Sequence, residues 1–215
     1  MSNLSSDFND LLKRAPKTSK YDLLFCDQLE LYEKRFNTTR HPWDLIFSTM
    51  PDQDELSQIL CNPNFDARIR LLAAKKLRLL NCTSVANQLL AVVIETNFAE
   101  GMEVFAAYKN TCGLFVRKTG KILFQSTAAD ECLDLLNIIF QKSDSFLQEH
   151  GLENIFRNSQ TRLGSSRISF LTIQGICAIE APIIEFCINS DYKDLVESIF
   201  SLMNFIIETH LDLKI

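Results

Sequence analysis

Apolar residues recur along this chain at two spacings, and the change from one to the other outlines the fold. Between residues 89 and 125 they fall in short alternating runs, the period of half-buried strands. The runs are Leu89–Phe98, Met102–Tyr108, Gly113–Arg117 and Lys121–Gln125, separated by glycine-bearing turns. They predict a four-strand antiparallel meander, with Glu100-Gly101 as one turn and Thr119-Gly120 as a two-residue hairpin. Two further strands are predicted at Arg167–Gln174 and Ile176–Glu180, hinged at Gly175 and stopped by Pro182.

Elsewhere the spacing is helical. Asp66–Asn81 carries Ile69, Leu72, Ala73, Leu77 and Leu80 on one stripe, with Asn64 or Asp66 as cap. Ala128–His150 forms a long helix closed by Gly151, and Asp191–Leu211 forms a last helix apolar over more than half its circumference. Upstream, Asn3–Lys13 and Tyr21–Phe36 read as amphipathic helices, and shorter ones open at Pro42 and Pro51. The segment Leu152–Ser166 reads as a loop. The predicted class is α+β: an antiparallel sheet of a four-strand meander plus a two-strand hairpin, flanked by helices. Residues 1–65 form a helical N-terminal extension, and residues 66–215 the α+β domain.

Alternation assigns Leu90, Val92 and Ile94 to one face of the sheet and Val93, Phe105, Phe115 and Leu123 to the reverse face. Four large apolar residues on a second face call for a cover. With Phe200 and Phe205 on the last helix, they make up the predicted partner-binding surface, suited to a peptide or helix from another protein.

Composition narrows the classes. A chain of 215 residues, 47% hydrophobic and 23% charged, is long enough for one domain with a sizeable core. The net charge of -5 disfavours nucleic-acid and anionic-membrane partners. No apolar run is long enough for a membrane span and the first residues lack a signal-peptide pattern, so a cytoplasmic protein is expected. The seven cysteines form no CxxC pair and sit mostly in apolar runs, which predicts reduced, buried thiols and neither metal nor disulfide frame. The basic residues Arg68, Arg70, Lys75, Lys76 and Arg78 read as a solvated helix face.

Catalytic patterns are sparse. HExxH, GxSxG, GxGxxG and the P-loop are missing from the sequence. Cys112, placed in a turn, is the most exposed candidate nucleophile. Glu95 and Glu103 are a candidate carboxylate pair across the first hairpin, though ordinary strand carboxylates fit them better, and His150 ends a helix. Neither a catalytic residue nor a cofactor is expected.

From Asp66 to Leu211 the element order is helix, meander, long helix, two strands and terminal helix. It resembles the small acidic chaperones of type III secretion systems and the small acidic adaptors of the Legionella type IV Dot/Icm coupling complex. Phe105-Ala106-Ala107-Tyr108, Gly113, Gly120-Lys121 and Arg167-Ile168-Ser169-Phe170-Leu171-Thr172 are also similar to segments of uncharacterised bacterial proteins. The resemblance implies a non-enzymatic adaptor or secretion chaperone of the bacterial cytosol, holding a partner segment on apolar surface. The alternative is an enzyme or secreted effector whose pocket is assembled from residues distant in sequence.

Overall fold

A computed structural model describes residues 4–36, 38–82, 86–127, 130–151, 153–155 and 161–212. By contact the chain forms two units, Met1–Leu90 with Thr172–Gly175, and Ala91–Leu171 with Ile176–Ile215. The division lies at the start of the first strand and not at residue 65, because the helix after Asp66 packs with the N-terminal helices.

The first unit is helical: α1 (Leu4–Arg14), α2 (Lys17–Leu23), α3 (Glu30–Glu33), α4 (Trp43–Ile46), α5 (Gln53–Cys61) and α6 (Ala67–Leu79). Helix α6 is its centre. The Asp66 carboxylate accepts from the Arg68 amide and caps the start, while Asn81, at φ 57, turns the chain away at the end. Every residue from Ala67 to Ala74 is buried, a run that only a helix enclosed on all sides can sustain, and α4 and α5 pack against it.

The basic residues of α6 are therefore not all a solvated face. Arg68 lies 1% exposed, bound through Nη2 to Asp66 at 2.7 Å and through Nη1 to Asn9 at 3.2 Å, with its guanidinium 4.5 Å from the Phe8 ring centre. Arg70 donates to the Leu60 carbonyl at 2.7 Å and to Gln88 at 2.6 Å, and Arg78 donates to the Ile173 carbonyl. Paired in this way, the buried cations join segments far apart in sequence.

The helix expected over Tyr21–Phe36 is broken. Cys26 adopts φ 50, the chain folds back, and Tyr32 donates its hydroxyl hydrogen bond to the Leu23 carbonyl. Two short helices, α2 and α3, replace one long one, and the fold-back lets Tyr32 and Phe36 join Phe8 and Trp43 in one aromatic cluster.

Among the described residues the second unit holds nearly all of a seven-stranded sheet and three helices. Its strands are β1 (Leu89–Phe98), β2 (Gly101–Tyr108), β3 (Cys112–Val116), β4 (Ile122–Ser126), β5 (Asn154–Ile155), β6 (Ser165–Thr172) and β7 (Ile176–Pro182). The helices are α7 (Asp130–His150), α8 (Ile183–Ile188) and α9 (Ser190–Asp212). Strand order is β4-β3-β2-β1-β6-β7-β5, so the predicted meander and hairpin join side by side into one open sheet. The two-residue edge strand β5 and helix α8 lie where no element was expected.

Register settles which residues share a face. Phe98 faces Gly101 across a two-residue loop, which aligns Ile94, Phe105, Phe115 and Leu123 in one row. Val93 lies opposite Ala106 and belongs to the other face, which corrects its predicted grouping with the phenylalanines. The turn from β2 to β3 carries no glycine; Asn110 takes the left-handed position at φ 54. The next turn is a three-residue loop, Lys118–Gly120, closed by Arg117 donating to Lys121, with Gly120 at φ 81.

Gly113 is thus inside β3, where it admits α9. A Cβ at this position would lie 2.7 Å from Ile206 Cδ1 and 3.3 Å from Leu202 Cδ2. Helices α7 and α9 pack against each other and onto β3, and so cover the face that carries Phe105, Phe115 and Leu123.

Candidate functional site

A cleft of about 500 Å³ opens in the first unit, lined by Asp7, Asp10, Leu11, Arg14, Arg35, Phe36, Arg40 and Trp43. Its walls follow from local structure. Helix α1 turns Asp7, Asp10, Leu11 and Arg14 along one side at spacings of three and four residues. The stretch after α3 supplies Arg35 and Phe36, and the turn into α4 supplies Arg40 and Trp43.

The apolar wall is rigid. Phe36 stacks on Trp43 with ring centres 4.1 Å apart and planes within 2°, and the Tyr32 ring runs parallel to Phe36 with centres 6.2 Å apart. Trp43 itself is 1% exposed. The charged rim is the accessible part: Arg14, Arg35 and Arg40 are exposed, and among the described residues none of their side chains forms a hydrogen bond or an ion pair. Asp10 has Lys13 at 4.0 Å, a fully solvated contact of little energetic weight. Three uncommitted guanidinium groups thus line one cleft beside the carboxylates of Asp7 and Asp10, and each presents a planar fork of donors that matches a carboxylate or phosphate edge.

The predicted partner-binding residues lie elsewhere, and most are closed. Val93, Phe105, Phe115 and Leu123 are at most 4% exposed, so the sheet offers no open apolar strip at these positions. For Phe105, Phe115 and Leu123 the cover is the chain's own α7 and α9. Phe205 is half-buried on α9, and Phe200 remains 40% exposed. The exposed isoleucines Ile184 and Ile188 lie one turn apart on α8.

The chemical candidates are not brought together. Cys112 is buried in β3 and not exposed in a turn. Glu95 pairs with Val104 and Glu103 with Thr96, so the two carboxylates point to opposite faces of the sheet. Glu95 is buried and accepts from the Thr161 hydroxyl at 3.0 Å, whereas Glu103 is half-exposed. Cys132 is buried at the start of α7. His150 is 18 residues further along that helix, roughly 27 Å away at 1.5 Å per residue. There it stacks on Phe146 at 4.1 Å. Among the described residues no group of histidine, cysteine, aspartate and glutamate is arranged to hold a metal ion, and no helix is long and apolar enough to cross a membrane.

Sequence reasoning passed over Arg14, Arg35 and Arg40. A signal was present, since basic and aromatic residues interleave in Arg35-Phe36 and Arg40-His41-Pro42-Trp43. Only the fold-back at Cys26 brings these residues opposite α1.

Comparison with protein families, curated proteins and solved structures found no match.

Proposed function

We propose that this protein is a non-enzymatic adaptor of the bacterial cytosol that holds a segment of a partner protein. The observation that carries the reading is the cleft between α1 and α4, where uncommitted guanidinium groups surround a preformed aromatic wall. A surface of that kind suits recognition, because it supplies charge and shape in one place. Phe200, Ile184 and Ile188 add exposed apolar side chains of the sort that a second contact uses. The sheet, with Phe105, Phe115 and Leu123 covered, is not part of this proposal. The role of a secretion chaperone is the narrower form of the same reading and rests on the element order from Asp66 onward.

Photo-crosslinking tests it. A benzophenone amino acid placed at Arg14, Ile188 or Phe200 and irradiated in the cells that make the protein should give a covalent adduct with another polypeptide from at least one position. Irradiation that yields no adduct from any of the three refutes the adaptor reading.

A further inference from the structure

We propose that the cleft recognises the carboxylates of an acidic segment in a protein partner, with Arg14, Arg35 and Arg40 as the reading groups; this rests on the adaptor reading above. The protein carries a net charge of -5, so its surface as a whole repels polyanions. Against that background a cleft with three arginines and two aspartates is a local positive site, and Lys13 beside Asp10 adds to it. Uncommitted arginines at an opening contrast with Arg68 and Arg70, which the same unit buries and saturates with acceptors. The chain thus uses one set of guanidinium groups for its own architecture and leaves another set facing outward.

The aromatic wall decides against a nucleic acid. Base recognition needs a ring face to stack on. One face of Phe36 lies against Trp43 at 4.1 Å, and Trp43 itself is 1% exposed, so the cleft presents little open ring surface. What the rings provide is an apolar backing beside Arg35 and Arg40. Asp7 and Asp10, three residues apart on α1, repel carboxylates in their own vicinity and favour an amide or a basic residue there. The occupant that fits is a peptide with consecutive acidic side chains directed at Arg14, Arg35 and Arg40 and with amide groups facing Asp7 and Asp10.

The test is fluorescence anisotropy on the full chain, with fluorescein-labelled hexaglutamate as the probe and labelled hexaglutamine as the control. Hexaglutamate should bind, and hexaglutamine should not. Arg35→Ala and Arg40→Ala should each weaken binding about tenfold, the loss of one charge-assisted contact. Binding should also weaken as salt passes through about 0.1 M, where the screening length is about 10 Å. These arginines have no partner among the described residues, so the variants should keep the far-UV circular dichroism and melting temperature of the parent. Equal binding of both peptides, or arginine variants that bind like the parent, overturns the inference. So does an oligodeoxythymidylate of equal charge that displaces hexaglutamate through the same arginines. Crosslinked adducts without hexaglutamate binding defeat this inference and leave the adaptor reading intact; hexaglutamate binding without adducts defeats the adaptor reading, and with it the protein partner inferred here.

Discussion

Gly113 is the position where one added methyl has a calculable effect. In the alanine variant the new Cβ comes 2.7 Å from Ile206 Cδ1 and 3.3 Å from Leu202 Cδ2. Carbon atoms settle at about 3.5–4.0 Å, so Ile206 must retreat by roughly 1 Å. It has nowhere to go, because Ile206 and Leu202 are both fully buried. Overpacking of this kind costs about 1–3 kcal/mol, and the reduced freedom of the unfolded chain returns about 0.4–1 kcal/mol. The expected net loss is about 1–2 kcal/mol, a fall of roughly 2–8 °C in melting temperature for a protein of this size. Urea unfolding followed by far-UV circular dichroism is the suitable assay, since the single tryptophan, Trp43, reports on the other unit. A second substitution sharpens the test. Ile206→Val deletes the methyl group that clashes, and alone costs about 0.5–1.5 kcal/mol. Combined with Gly113→Ala it should cost less than the two separately, with a coupling of about 1 kcal/mol. A Gly113→Ala protein as stable as the parent, or strict additivity in the double variant, would refute the packing of α9 on β3.

Other consequences are open to measurement. Arg68→Ala leaves the buried Asp66 carboxylate without its cation and should cost about 3–5 kcal/mol in urea unfolding followed by Trp43 fluorescence; a loss under about 1 kcal/mol would contradict the pairing. Burial raises the Glu180 pKa, but hydrogen bonds and charge from Arg167 and Arg162 outweigh it and hold the carboxyl below its ordinary 4.5. A carboxyl depressed by folding stabilises the protein above its ordinary pKa, and that contribution disappears as pH falls through the lowered value. Glu180→Gln should therefore flatten the loss of stability below pH 4.5, and an unchanged acid limb would count against the ion pair. Burial pushes the Cys26 thiol up to about 12, so iodoacetamide at about pH 8 should label the exposed Cys61 and Cys187 and spare Cys26 until the protein unfolds, as read by mass spectrometry.

How much of this was legible in the sequence depends on the range of the cause. The meander strands and the long helices were legible because each is fixed by local periodicity and by turn residues such as Gly120 and Gly151, both at positive φ. The face assignment of Val93 was not. Ala99-Glu100 closes the first hairpin, one residue shorter than a turn that includes Gly101, and one residue of slip moves a whole strand to the opposite face. Helical spacing over Tyr21–Phe36 was real, yet it served two short helices that bury the same residues from different directions around Cys26. Arg68 and Arg70 looked solvated because polarity patterns treat arginine as an outward residue, whereas Asp66, Asn9, Leu60 and Gln88 satisfy them inside. The cleft eluded local reasoning altogether. Its arginines come from α1, from the end of α3 and from the approach to α4, and only the folded chain assembles them.

The hydrogen bond from Arg78 to the Ile173 carbonyl has a practical consequence for anyone who dissects this molecule. Ile173 arrives from the far half of the chain, on the tight bend Thr172–Gly175, yet belongs by contact to the N-terminal helices. The same bend receives Gln88 and Asn87 through Ile173 and Gln174. A fragment cut after Leu90 would leave one guanidinium group and two loop acceptors facing water where the intact chain supplies a backbone. Limited proteolysis within residues 172–175 should loosen helices encoded nearly a hundred residues earlier, so the two halves of the gene are expected to tolerate separation poorly.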